Sequence, residues 1–124
     1  MSNTRAENTS RPLDLRTGVP RSGKEMIAGF AWLGRAADKA RAKIAGMIGD
    51  YIFLCPVDKG FLALTRVTED EFIELIARGS SDEEVGSYFE RHVPPVQRDS
   101  ANRWILEDMR DELDAIDREE RRAA

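Results

Sequence analysis

A tryptophan beside a run of charged residues is the strongest chemical signal in the sequence. In a helical projection, Trp32 falls on the same arc as four charged residues: Arg35, Asp38, Lys39 and Arg41. A guanidinium beside an indole can hold a carboxylate or phosphate while the ring stacks on a planar group. The pattern therefore predicts an anion-binding face. It is also typical of the solvated face of an amphipathic helix, on which i,i+3 ion pairs contribute only a few tenths of a kcal/mol.

Two acidic residues and a tyrosine further along the chain offer acid–base chemistry. Asp50 and Asp58 bracket a short apolar segment that begins at Tyr51. Paired carboxylates perform general acid–base catalysis or bind a hard cation, whereas aspartates in such positions more often cap helices or shape turns. We predict that Tyr51 and Asp58 join the anion-binding site. The alternative is a small enzyme that uses Asp38, Tyr51 and Asp58, with Arg35 as an anion clamp.

The single cysteine and the single histidine do not indicate a nucleophilic pair. Cys55 precedes a proline within an apolar run and is predicted to be a small buried residue. His92 lies near the end of another predicted helix, where it is expected as a C-terminal cap or a half-buried core residue. The sequence has no Cys/His set with zinc spacing, no glycine-rich phosphate loop and no nucleophile elbow. We therefore expect no metal and no cofactor.

Length and composition limit the class of protein. The chain has 124 residues, of which 41% are hydrophobic and 34% charged, which fits one globular domain with a charged surface. No apolar run approaches the ~20 residues that span a bilayer, and the first twenty residues lack the apolar core of a secretory signal. One cysteine cannot form an internal disulfide. We predict a cytoplasmic protein with no membrane partner.

Charge is distributed unevenly along the chain. Residues 1–67 carry 11 positive and 6 negative charges, whereas residues 68–124 carry 8 positive and 17 negative charges. Such a division indicates that the basic half meets anions or that the two halves dock on one another, and internal docking is the favoured interpretation. An acidic half would repel phosphates, so no nucleic-acid partner is expected.

The charged residues are expected on a long helix over residues 22–48. Ser22 with Glu25 has the spacing of an N-terminal capping box, and Gly29 and Gly34 predict a bend near 31–34. Trp32 would project about 100° away from the apolar stripe of this helix. We expect either that the Leu13–Arg16 arm or the Tyr51–Leu54 connector covers it, or that it forms one wall of a ligand pocket.

Further helices are predicted from capping and periodicity. Capping boxes are expected at Thr68 with Glu71 and at Ser81 with Glu84. Asp58 is expected to cap a short helix that lies between helix 22–48 and the helix that starts at Thr68. The last helix is expected to open at Asp99 or Ser100 and to run to about Arg121. Its apolar seam recurs at 3-4-3 spacing: Leu106, Met109, Leu113 and Ile116. The seam predicts packing within the chain, with a homodimer contact as the alternative.

These elements together predict an all-α fold. We expect a single-domain bundle of four to six helices with at most a token pair of strands, because one short β-like run stands against several helical stretches. The expected organisation is a flexible tail over residues 1–12, a helical core over 13–93, and a linker with a long amphipathic C-terminal helix over 94–124.

Several short motifs resemble a known family. They are Leu13-Asp-Leu-Arg16, Pro20-Arg-Ser22, Arg35-Ala-Ala-Asp-Lys-Ala-Arg-Ala42, Gly49-Asp-Tyr51, Cys55-Pro-Val-Asp58 and Ser81-Asp-Glu-Glu-Val85. In combination they resemble the small bacterial family named "domain of unknown function five-zero-six-nine", over about residues 13–93. The resemblance implies a helical fold, and it brings no established activity.

Three functions are compatible with the sequence. The first is a cytoplasmic binding module that holds an anionic small molecule or an acidic partner segment on the basic face of helix 22–48. The second is the small enzyme described above. The third is a structural or oligomerising adaptor that acts through the C-terminal helix. A concavity between Trp32, Arg35 and Tyr51 would favour the first two over the third.

Overall fold

Six α-helices and one short hairpin make up the part of the chain that the structure, a computed structural model, describes, residues 12–123. The predicted flexible tail lies outside these residues except for Pro12. The elements are β1 (Met26–Ile27), β2 (Phe30–Ala31), α1 (Leu33–Ile44), α2 (Pro56–Thr65), α3 (Glu69–Ala77), α4 (Asp82–His92), α5 (Pro95–Arg103) and α6 (Arg110–Ala123), with a π-helical turn over Trp104–Asp108. The predicted all-α fold with no more than a token strand pair is confirmed.

The single long helix predicted over residues 22–48 is wrong, because a hairpin occupies its first part. β1 and β2 pair antiparallel, with Ile27 opposite Phe30. The turn residues Ala28 and Gly29 both have positive φ, at 54° and 82°. Two consecutive left-handed residues make the turn that matches the twist of a hairpin, and no α-helix can pass through them.

Helix α1 begins at Leu33, directly after a third left-handed residue, Trp32. Trp32 has φ 74° at the N-cap, and its backbone N–H donates to the carbonyl of Gly23 at 2.8 Å. The capping box predicted at Ser22 is also wrong: the Ser22 hydroxyl accepts from the backbone of Lys24 instead. Gly34 lies inside α1, where a Cβ would come within 3.3 Å of the Arg21 guanidinium carbon. The chain breaks at the left-handed Trp32, two residues before Gly34 and within the range of 31–34 where a bend is predicted.

Local signals give the other helix ends more accurately. The capping boxes at Thr68 and Ser81 are both present and confirm the predicted starts of α3 and α4. The box at α2 has Cys55 as N-cap, and Asp58 closes it from the third helical position, so the predicted capping by Asp58 itself is wrong. Helix α5 starts at Pro95, which is preorganised for a first helical position, and not at Asp99 or Ser100.

The core is built around α1 and extends to the last helix. Phenylalanines from β2 and the later helices meet at Phe89, with ring centroids 5.5 to 6.0 Å from those of Phe30, Phe61 and Phe72. Residues from α5, the π-helical turn and α6 complete the same cluster. None of the helices within residues 12–123 has the length and apolarity needed to cross a membrane.

The apolar seam of the last helix contacts the chain's own core. Leu113 is 1% exposed, and Leu106 and Met109 pack half-buried against the core, while Ile116 is half-buried on α6. The internal packing predicted for the seam is therefore confirmed at Leu113. The homodimer contact through these residues stays a prediction.

Candidate functional site

The charged residues of α1 are buried, contrary to the solvated face that an amphipathic pattern indicates. Arg35, Asp38, Lys39 and Arg41 are each 3–4% exposed. A buried charge is expensive unless an opposite charge and hydrogen bonds compensate for it. Each of the four has such a partner from another segment of the chain, and these partners divide the site into three neighbouring clusters.

In the first cluster, Arg35 and Tyr51 hold the carboxylate of Glu120. We name the residues Trp32, Arg35 and Tyr51 the Arg35 clamp. The two terminal nitrogens of Arg35 donate to the two carboxylate oxygens of Glu120, at 2.9 and 2.6 Å. The Tyr51 hydroxyl donates to the same carboxylate at 3.1 Å. The guanidinium carbon lies 5.6 Å from the Trp32 ring centroid and 5.7 Å from that of Tyr51. The cation thus contacts two aromatic faces while it binds a carboxylate in bidentate geometry.

The electrostatics of the clamp follow from burial and from Glu120. Burial alone would lower the pKa of Arg35, but the hydrogen bonds and charge of Glu120 outweigh it, and the net pKa is raised. Burial, with the Glu120 charge adding to it, raises the pKa of Tyr51 to about 12. At neutral pH the clamp therefore presents a permanent cation and a neutral phenol donor, which suits a carboxylate.

A groove lies beside helix α6, next to the carboxylate that the clamp holds. A cavity of about 400 Å³ opens beside Glu120, between the 13–25 segment and the last turns of α6. Two further carboxylates of α6 bind the same segment: Asp114 pairs with Lys24, and Asp117 accepts from the Ser22 hydroxyl at 2.9 Å. These contacts join the basic and acidic halves of the chain, as the charge distribution predicts.

The second cluster centres on Asp58, which is fully buried. Its carboxylate accepts from the indole N–H of Trp32 at 2.8 Å and from the backbone N–H of Cys55 at 3.0 Å, and it pairs with Lys39 Nζ at 2.9 Å. Lys39 also donates to the carbonyl of Ile52 at 3.0 Å. This cluster orders the 51–55 connector against α1, so Asp58 holds the architecture on which Tyr51 is mounted.

Cys55 belongs to the edge of this second cluster. Its sulfur accepts from the backbone N–H of Asp58 and from Lys39 Nζ, at 3.4 and 3.3 Å. The side chain is half-buried and serves as a helix cap, which differs from the simple buried hydrophobe expected. His92, at the end of α4, is exposed and hydrogen-bonds the carbonyl of Tyr88 through Nδ1, in keeping with the predicted C-terminal position.

The third cluster is a quartet of alternating charges around Asp38. Arg21 donates to Asp38 and also to Asp82, with shortest contacts of 2.9 Å. Burial opposes the charge on Arg21, but these hydrogen bonds raise its pKa well above the ordinary value. Arg41 Nη1 lies 3.0 Å from Asp82 Oδ1, and Arg41 Nη2 donates to the carbonyl of Ser80 at 3.1 Å. The quartet locks the start of α4 against α1.

The structure thus brings the predicted site residues together, but not as one pocket. Asp38 has Arg21 as its main partner, while Asp58 binds Lys39 and Trp32, so the two aspartates serve different clusters. All seven residues proposed from the sequence fall in the three clusters: Trp32, Arg35, Asp38, Lys39, Arg41, Tyr51 and Asp58. Within residues 12–123, no group of three or more His, Cys, Asp or Glu side chains is arranged to hold a metal ion.

Three partners of these residues were missed from the sequence: Arg21, Asp82 and Glu120. Asp82 is concealed by its position in the first turn of α4, where acidic residues are ordinary. A usable signal existed for α6, since Asp114, Asp117 and Glu120 recur every three residues next to the apolar seam. Carboxylates with this spacing lie along one side of a helix and require a basic counterpart if that side is covered.

Comparison with known proteins gives a family and no activity. A search of curated proteins found no match. The family model described as Domain of unknown function (DUF5069) matches residues 17–124, which extends through the last helix and beyond the 13–93 span of the resemblance in the sequence. The match covers most of the chain, and the chain therefore belongs to the DUF5069 family.

Proposed function

We propose that this protein is a non-enzymatic binding module that recognises a carboxylate through the Arg35 clamp. The carboxylate would belong to an anionic small molecule or to an acidic segment of a partner. The observation that carries the proposal is Glu120: its carboxylate is already bound by the guanidinium of Arg35 and the hydroxyl of Tyr51. The clamp is thus a formed receptor for this chemical group.

The arrangement around Arg35 supports recognition more than a purely structural ion pair. A bidentate guanidinium fixes the orientation of a carboxylate, and the neutral phenol of Tyr51 supplies a further donor. Trp32 and Tyr51 flank the cation; Trp32 is 2% exposed, so half-buried Tyr51 is the ring that would offer apolar surface to the rest of a ligand. Glu120 is partly exposed, with 14% of its side chain accessible, so its position is reachable from the groove beside α6.

The other charged clusters support the clamp. Asp58 is inaccessible at 0% exposure, and Asp38 is held by Arg21. The enzyme alternative would need Asp38, Tyr51 and Asp58 to reach one substrate, and their separate partners do not favour it. For the cellular setting we propose the bacterial cytoplasm, on the grounds of the single cysteine and the family resemblance.

Chemical rescue of a Glu120→Ala variant tests the proposal. The substitution removes a carboxymethyl group, and acetate has the same heavy atoms. We expect E120A to lose about 2 kcal/mol of stability, because Arg35 stays buried without its counter-charge. If acetate binds the vacated clamp with a dissociation constant of ~20 mM, 100 mM acetate should restore about 1 kcal/mol, or roughly 3–5 °C in melting temperature.

Glu119→Ala is the matched control, since Glu119 is exposed on the same turn and its loss changes net charge equally. Chloride at the same ionic strength controls for screening. Acetate should stabilise E120A beyond E119A, and the double variant E120A/Y51F should lose much of the rescue. An equal response of E120A and E119A to acetate, or no response of either, would contradict carboxylate recognition at the clamp.

A further inference from the structure

We infer that the surface covered by α6 is a receptor for an acidic helical segment of a partner protein, and that α6 is its built-in competitor. The inference rests on the proposed function, because it names the class of ligand for the same clamp. Three carboxylates of α6, which we name the acidic ladder, carry the argument: Asp114, Asp117 and Glu120.

The ladder is matched group by group on the surface beneath it. Glu120 occupies the Arg35 clamp, Asp117 accepts from the Ser22 hydroxyl at 2.9 Å, and Asp114 pairs with Lys24. Lys24 Nζ also lies 3.8 Å from Asp117 Oδ2. The donor groups of Lys24, Ser22 and Arg35 are therefore spaced for carboxylates three residues apart on one side of a helix. A small carboxylate would satisfy one of these positions, whereas a helix satisfies all three.

An apolar contact fixes where the helix lies. Leu113 is the single fully buried side chain between Arg110 and Arg121. It packs over Gly23, where a Cβ would lie 3.3 Å from Leu113 Cδ2 and 2.4 Å from Trp32 Cε3. The absence of a side chain at Gly23 lets the helix and the indole approach. A ligand helix thus needs one apolar residue followed by carboxylates one, four and seven positions later.

The attachment of α6 is suited to exchange. Between Arg110 and Arg121, Leu113 is the one fully buried side chain and Ile116 is half-buried, so most of the contacts that hold this part of α6 are polar and can be matched by another acidic helix. The π-helical turn and Met109, with φ −98° and ψ 15°, separate α6 from the regular helix before it. Because α6 is tethered, it occupies the surface at an effective concentration in the millimolar range. A partner helix that makes the same contacts displaces α6 only if its concentration exceeds this effective concentration, or if it makes additional contacts of its own.

Peptide binding to a chain with a weakened competitor tests the inference. The full-length variant D114N/D117N/E120A keeps Leu113 but loses the acidic ladder, and circular dichroism checks that it folds; E120A alone serves if it does not. The probe is a fluorescein-labelled peptide of residues 110–123. We expect a rise in anisotropy on mixing, with at least about tenfold weaker binding to the wild-type chain, whose ladder is intact.

The spacing of the ladder is tested with a peptide of identical composition. Exchanging two neighbours in the peptide, E120R/R121E, turns one carboxylate about 100° away from the clamp. This peptide should bind at least about tenfold more weakly than the native one. Binding of the native peptide should also speed amide hydrogen exchange in residues 113–121 of the protein, because α6 is displaced.

The outcomes separate the inference from the proposed function. Equal binding of both peptides, no binding up to 1 mM, or binding without faster exchange in α6 would overturn the acidic-helix receptor. Acetate rescue of E120A alongside any of these results would leave carboxylate recognition at the clamp intact. Failure of the rescue together with failure of peptide binding would refute both.

Discussion

Replacing Asp58 by asparagine should expose how strongly the buried charges of α1 depend on one another. The Asp58 carboxylate is inaccessible and binds Trp32 Nε1, the Cys55 backbone N–H and Lys39 Nζ, all within 3.0 Å. In Asp58→Asn one oxygen becomes an NH₂ group, which cannot accept a hydrogen bond and faces an N–H donor. Lys39, which is 3% exposed, then has no counter-charge of its own.

The expected loss is about 3–5 kcal/mol, which is the cost of leaving one partner of a buried pair uncompensated. Hydrogen bonds to charged groups are worth ~1.5–3 kcal/mol each. An asparagine oxygen in the Oδ2 position keeps the contacts with Cys55 N–H and Lys39 Nζ, while its NH₂ group faces the indole N–H of Trp32. Because small domains have only about 5–15 kcal/mol of stability, a loss of this size is a large fraction of the total, and the urea midpoint of the variant should fall clearly below that of the wild type. Urea denaturation followed by circular dichroism measures the difference.

The matched control is Glu71→Gln in α3. Glu71 has the same role as Asp58, a carboxylate at the third position of a capping box, but it lies on the surface. E71Q should cost only about 0.5–1 kcal/mol. The double variant D58N/K39M should recover part of the loss, since an apolar side chain needs no counter-charge. A cost for D58N no larger than for E71Q would refute the view that burial of the Lys39 pair sets the magnitude.

Two further outcomes follow from Tyr51 and Leu113. The pKa of Tyr51 is raised from the ordinary 10.0 to about 12, so its contribution to stability is complete below pH 10 and is lost as the pH rises through 12. Ultraviolet titration should show a late tyrosinate step that Tyr51→Phe removes, and a single step near pH 10 in both proteins would contradict the clamp geometry. Leu113→Glu should lower stability by about 3 kcal/mol or more, because it buries a charge against Gly23 and Trp32. Melting curves measure this loss, whereas unchanged melting with altered sedimentation would place the seam in a dimer.

The helices that could be predicted are those whose ends are encoded locally. Thr68 and Ser81 each meet a glutamate three residues later, and both capping boxes form in the structure as the sequence indicates. The structure of the region before α1 could not be predicted from local capping signals. Its apolar residues have helical spacing, yet the left-handed conformations of Ala28 and Trp32 break the helix. The conformation of Trp32 depends on tertiary contacts, since its indole binds a carboxylate 26 residues away.

The candidate site was predictable in its residues but not in its environment. The spacing of Arg35, Lys39 and Arg41 identifies one side of a helix correctly, and burial on that side is decided by carboxylates that are distant in sequence. Lys39 pairs with Asp58 and Arg41 with Asp82, whereas Arg35 reaches Glu120, 85 residues away. The uneven charge of the two halves predicts that such pairs form, but it does not say which residues form them.

The source of each counter-charge distinguishes the clamp from the other clusters. Arg21, Asp58 and Asp82 all lie in the short motifs on which the family resemblance rests, and they neutralise Asp38, Lys39 and Arg41. Those three charges of α1 are therefore compensated by segments that also build the core. Arg35 differs, because its carboxylate comes from the last turns of α6, a helix held by buried Leu113, half-buried Ile116 and a row of polar contacts. Of the four buried charges of α1, Arg35 is consequently the one whose partner comes from outside those motifs, and this is why we propose exchange of a carboxylate at Arg35 and not at the other three.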